Sequence, residues 1–123
     1  MSFEKIDFDP EAALEQFEGD MELLLDVTEM YLDCQAEMMQ AVEEAVEACD
    51  LEKLNRAAHS LKGTLGQLSA QAAQEAAFRL ETMGRQGQQA QLAEAWQDMQ
   101  DKNNRLCEAL RTFHRGNSEC QKG

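Results

Sequence analysis

DLEKLNRAAHSLKGTLGQL, residues 50–68, is the stretch whose pattern decides the fold. Leu51, Leu54, Ala58, Leu61, Leu65 and Leu68 recur at alternating spacings of three and four, which is one apolar seam along a helix. Asp50 stands where an N-cap belongs. Downstream, Ala73, Ala76, Ala77, Leu80 and Met83 carry a second stripe that ends at Gly84-Arg85-Gln86-Gly87. Between Leu68 and Ala73 neither Gly nor Pro forces a break, so periodicity alone allows one helix over 51–83. That length is unusual in a small globular protein. A turn near Ser69-Ala70 makes an antiparallel hairpin instead, and the pattern favours it.

Working outward, Asp9-Pro10 reads as a helix start, since Pro at the first helical position loses no needed hydrogen bond. This short helix is expected to end at Gly19, and Asp20 caps the next one. Its stripe is expected at Leu23, Val27, Met30, Tyr31, Cys34, Met38, Ala41, Val42 and Ala45. A last helix runs through Leu92, Trp96, Met99, Asn103, Leu106, Leu110 and Phe113, with one polar residue in the seam. The expected fold is therefore all-α, an antiparallel up-down four-helix bundle with a short additional N-terminal helix. Residues 1–123 form one domain in this reading, with a helical core over about 7–113 and a frayed tail over 116–123.

Composition agrees. The chain has 123 residues, 43% of them apolar, enough for one core. Three Val, one Ile, four Thr and one Tyr leave too few strand-formers for a substantial sheet. Charge is uneven: residues 1–52 hold seventeen acids and one Lys, whereas 53–123 hold seven acids and ten Lys or Arg. A net charge of −13 argues against nucleic acid and against an anionic membrane as partners. No apolar run exceeds three residues, and the opening MSFEKIDFDP is acidic where a targeting segment is basic. A cytoplasmic location is the expectation.

Cys34, Cys49, Cys107 and Cys120 form no CxxC pair, so they read as reduced structural thiols rather than metal or redox groups. The methionines, several of them on stripes, read mainly as core filling. Of the two histidines, His59 and His114, His59 follows Ala58 by one residue and so turns about 100° off the leucine seam, toward the exterior. Asn55, Arg56, Lys62, Gly63 and Gly66 share its patch. Two glycines inside a strongly patterned helix cost about 1 kcal/mol each relative to Ala, a local conflict that often marks function. Here their missing side chains leave His59 approachable by a bulky partner, with the Lys62 cation close by. An imidazole is a good nucleophile near neutral pH, and a phosphoryl group on its ring would sit beside that ammonium.

The string Arg56-Ala57-Ala58-His59-Ser60-Leu61-Lys62-Gly63-Thr64, with Leu68 and Ala70 downstream, closely resembles the signature of histidine phosphotransfer (HPt) domains of bacterial-type phosphorelays. The resemblance covers roughly residues 7–113. It implies a helical bundle with an exposed phosphoacceptor, which is His59. Lys62 then lies near the phosphoryl group, and Gly63 opens the surface for docking. Members often place Glu or Gln 22 residues after the His to bond the non-reacting ring nitrogen, and that position is Glu81. A hairpin turning at residues 69–70 brings 59 and 81 level. Gln67, eight residues after His59, resembles a further polar position of the motif. Two positions depart from the pattern. Ser69 replaces the usual Gly of the turn, where it is able to cap the following helix, and Ala73 replaces a larger aliphatic residue, which suggests a looser local core.

Other chemistries lack their residues. No Glu-x-x-His pair supports a metal-carboxylate bundle, no GxSxG supports a hydrolase, and no glycine loop cradles ATP. The chain is therefore expected to be a phosphocarrier without autokinase activity or a cofactor of its own. The resemblance implies exchange with receiver domains of a hybrid sensor kinase or a response regulator, which supply Mg²⁺. Arg56, Lys62, Arg79 and Arg85 are placed to align an acidic receiver surface. A free-standing monomer is expected. The alternative is a helical adaptor that docks a receiver, or another signalling protein, without carrying phosphate.

Overall fold

The computed structural model describes the backbone of residues 6–122 and the side chains of 6–117. The opening residues 1–5, the side chain of Cys120 and Gly123 lie outside the described residues. Among the described residues five helices follow one another: α1 (Pro10–Gln16), α2 (Met21–Ala48), α3 (Leu51–Gln67), α4 (Gln71–Gln86) and α5 (Leu92–Lys122). Three of the starts are written by aspartates. The side chains of Asp9, Asp20 and Asp50 accept from the backbone N–H of Ala12, Leu23 and Lys53, satisfying donors that a helix start leaves orphaned.

The helices pack in the cyclic order α2, α3, α4, α5, and the most extensive contact is between α3 and α4. The seam of α3 does what its spacing demands, since Leu54, Ala58, Leu61 and Leu65 are all buried. Leu68, Ala73, Leu80, Met99, Leu106 and Leu110 complete the shared core. Ala73 is fully buried within it. Phe8 closes one end of the bundle against Phe113, ring centroids 5.2 Å apart and edge to face. The polar member of the α5 seam has partners: the buried Tyr31 hydroxyl donates to Asn103 Oδ1 at 2.5 Å, and Asn103 Nδ2 donates to Gln35 Oε1 at 2.7 Å. Burial pushes the Tyr31 hydroxyl well above its usual pKa, so it remains a donor.

Three expectations are corrected. At the start of α2, Leu24, Leu25 and Thr28 face the core, while Leu23 and Met30 are 44% and 58% exposed. Three consecutive leucines leave the phase of the stripe undecided, and the polar hydroxyl of Thr28 hides a core position. At the hairpin, Ser69 is the left-handed residue that ends α3 (φ +54°), and Ala70 occupies the N-cap of α4. The Ser69 hydroxyl caps nothing; it accepts from Gln16 Nε2 at 2.9 Å, tying α1 to the turn. Finally, α5 does not end near Gly116 but stays helical to Lys122. A single Gly is tolerated inside a helix, and no Pro follows to stop it. Among the described residues, no helix is long and apolar enough to cross a membrane.

Candidate functional site

The hairpin makes the site. Left-handed Ser69 and the backbone bond from Ala70 N–H to Leu65 C=O reverse the chain, and α4 returns antiparallel along α3. Close approach is enforced at Gly84: a Cβ there would lie 2.7 Å from Asn55 N and from Leu51 O. Asn55 Nδ2 also donates to the backbone carbonyl of Glu81 at 2.9 Å. These contacts fix the register that brings residues 59 and 81 side by side.

His59 stands out from α3 with 71% of its side chain exposed, whereas Glu81 is only 5% exposed. His59 Nδ1 and Glu81 Oε2 are 3.0 Å apart. Lys62 Nζ bonds the same carboxylate, 3.1 Å from Oε1 and 3.0 Å from Oε2. Arg85 Nη1 lies 3.9 Å from Oε1, one helical turn along α4. The Lys62 ammonium also sits over the Phe78 ring, 5.1 Å from its centroid, within range of a cation–π attraction.

Burial alone would raise the pKa of the Glu81 carboxyl, but hydrogen bonds and charge from Lys62 and His59 outweigh it and hold it below its usual value. Glu81 is therefore an anion that only accepts. A neutral His59 must then carry its proton on Nδ1 and donate it, which leaves the lone pair on Nε2, the ring nitrogen away from Glu81.

The remaining sequence candidates fall around this cluster. Gly63 is exposed, and a Cβ on it would meet nothing within 4 Å. Gln67 is exposed further along α3, and none of the hydrogen bonds of the His59–Glu81–Lys62 cluster involves it. Arg56 pairs with Glu52 at 3.5 Å, and Arg79 reaches Gln91 at 3.5 Å. His114 lies apart, 3.7 Å from Glu29. Phe78 was not among the sequence candidates. Its signal was its phase: the large apolar residue of α4 that falls off the Ala73-Ala76-Ala77-Leu80-Met83 seam, and it is 48% exposed. Among the described residues no group of His, Cys, Asp and Glu is placed to hold a metal ion.

Comparison with known proteins agrees with this architecture. The crystal structure of histidine-containing phosphotransfer protein B from Pseudomonas aeruginosa PAO1 superposes with a TM-score of 0.81, covering 89% of this chain and 95% of that one. At 16% sequence identity the likeness is one of fold. No curated protein matches the chain. The family model of the Hpt domain matches residues 26–115, from within α2 into α5 and through His59, and by that match the chain belongs to the Hpt domain family.

Proposed function

We propose that this protein performs histidine phosphotransfer in a two-component phosphorelay, taking a phosphoryl group from the aspartyl phosphate of one receiver domain onto Nε2 of His59 and passing it to the aspartate of another. The observation that carries the reading is the exposed imidazole whose inner nitrogen is held by a buried carboxylate.

The chemistry balances without a base. The Nε2 lone pair forms the P–N bond as the P–O bond to aspartate breaks, and the aspartate leaves as a carboxylate. The Nδ1 proton stays in place, so the ring gains positive charge as it is phosphorylated. Glu81, 3.0 Å away, compensates that charge and fixes the ring plane for in-line attack. Lys62, held by the same carboxylate, is the nearest cation to the incoming phosphoryl oxygens. The receiver supplies Mg²⁺ and most of the transition-state stabilisation. In this reading the chain is a monomeric cytoplasmic carrier rather than an enzyme with its own phosphodonor site.

Incubation with a phosphorylated receiver tests it. Acid-labile, base-stable label is expected on the wild-type chain and on His114→Gln, and none on His59→Gln. Label on His59→Gln would show a different acceptor. Receiver binding with no label on any form would leave the adaptor reading.

A further inference from the structure

The hairpin lays α3 and α4 together as a ladder. Residues 59 and 81, 62 and 78, and 66 and 74 are each symmetric about residue 70, and the contacts follow that symmetry. His59 Nδ1 meets Glu81 Oε2 at 3.0 Å. The Lys62 ammonium lies 5.1 Å from the centroid of the Phe78 ring. A Cβ on Gly66 would meet the amide nitrogen of Gln74 at 2.7 Å. The middle rung, Lys62 with Phe78, therefore lies next to the one that carries the imidazole.

Packing does not explain the ring. Ala73, Ala76, Ala77, Leu80 and Met83 bury the seam of α4, and Phe78 stands off it, 48% exposed. What the ring covers is Lys62, whose side chain is only 26% exposed. Beside the two lies a hollow of about 310 Å³, lined by Lys62, Gln71, Gln74, Glu75 and Phe78. A lysine on its flexible four-carbon stem has room there to swing away from Glu81, toward the Glu75 carboxylate on the same wall.

We infer that Phe78 is a positioning residue: its ring holds the Lys62 ammonium against Glu81 and beside His59 by cation–π attraction. This inference rests on the relay reading above and deepens it. An aromatic ring suits the task better than a polar side chain. The ammonium has three donors and no acceptor, and Glu81 engages it through both oxygens, at 3.1 and 3.0 Å. A carboxylate or amide at position 78 would take up the remaining donor. The ring face attracts the charge through its quadrupole and claims no directional hydrogen bond. One N–H is thus left for an oxygen of the phosphoryl group on His59. Partial removal of water by the ring strengthens that contact as well.

The experiment uses any receiver domain that labels the wild-type chain. Transfer is followed by rapid quench over a range of receiver concentrations, which separates the maximal rate from the half-saturating concentration. Phe78→Leu keeps apolar bulk and removes the ring face. Its maximal rate is expected to fall by about threefold or more, with half-saturation within about twofold of wild type and the thermal melt retained. Phe78→Tyr keeps the face and is expected to restore the rate to within about twofold. In a Lys62→Met background, Phe78→Leu is expected to cause no further slowing, because its effect runs through the ammonium. Proton NMR adds a direct signature: the Lys62 ε-methylene is expected upfield in wild type and Phe78→Tyr, and at its ordinary position in Phe78→Leu. An unchanged maximal rate in Phe78→Leu, a change confined to half-saturation, equal slowing with and without Lys62, or an unshifted ε-methylene in wild type would overturn the positioning role while leaving the relay intact. Failure of every receiver to label the wild-type chain would instead overturn the relay reading, and the positioning role with it.

Discussion

At the scale of single residues, the site is one carboxylate serving two donors. Removing it with Glu81→Ala leaves the His59 ring free to rotate and releases Lys62. The expected outcome is a transfer rate slower by about tenfold or more, with the fold kept, measured by rapid-quench labelling. Glu81→Gln restores an acceptor for Nδ1 without the charge, so its rate is expected between the two. Unchanged rates in both variants would remove Glu81 from the chemistry. The same residue sets an acid limit. Its carboxyl is held below its usual value in the folded state, so the unfolded chain binds the proton more readily. The resulting stabilisation is present above the ordinary glutamate range and is lost as pH falls through the lowered folded value. Denaturant titrations from pH 6 to pH 3 are expected to show a steeper loss for wild type than for Glu81→Gln. Glu81 was legible in the sequence because the resemblance marks the position 22 residues after His59, and a hairpin turning at residues 69–70 agrees by placing the two level. Phe78 was not, because an aromatic residue off an alanine seam looks like ordinary surface until its neighbours are known.

At the scale of elements, the three glycines of the α3–α4 pair separate cleanly by what surrounds them. Gly84 has backbone at 2.7 Å from a notional Cβ, so Gly84→Ala must push α4 away from α3. A loss of about 1–3 kcal/mol is expected by urea denaturation, together with slower transfer as the His59–Glu81 bond lengthens. Gly63 faces open space, so Gly63→Ala is expected to gain up to about 1 kcal/mol of stability. A bulky residue at 63 is expected to weaken receiver binding far more than it alters the melt. A Cβ at Gly66 meets only the amide end of Gln74, which is able to swing aside. The sequence showed Gly63 and Gly66 as conflicts inside a helix and Gly84 as part of the end of the α4 stretch, but not which one marks a close approach, since that depends on the partner helix. Helix starts were the most legible features, because an aspartate side chain reaching its own third neighbour is a local interaction. The phase of α2 and the left-handed Ser69 were not, because each is settled by tertiary packing rather than by neighbours in sequence.

At the scale of the whole molecule, charge is segregated. A net charge of −13 with the excess on the first half of the chain means that the folded state gathers like charges along α2. Salt screens that repulsion, so the melting temperature is expected to rise between 10 mM and 300 mM NaCl, and a flat or falling trend would contradict it. The buried Tyr31–Asn103–Gln35 chain joins α2 to α5 across the core. Asn103→Leu strands the Tyr31 hydroxyl and is expected to cost about 1–3 kcal/mol, read by chemical denaturation. The bundle itself was legible from periodicity, but the length of α5 was not, since Gly116 reads as the start of a frayed tail while a lone Gly is also tolerated inside a helix.

Because His59, Lys62 and Glu81 all come from one tightly joined hairpin, the reactive geometry is local in sequence as well as in space. The short α1 is tied to the rest partly through one exposed glutamine, and its amides are expected to exchange with deuterium through small openings. Those around His59 should exchange only when the whole molecule unfolds. A molecule that has shed α1 would therefore still present the His59 edge intact, and the lifetime of that edge would follow the global unfolding rate rather than the loosening of the ends.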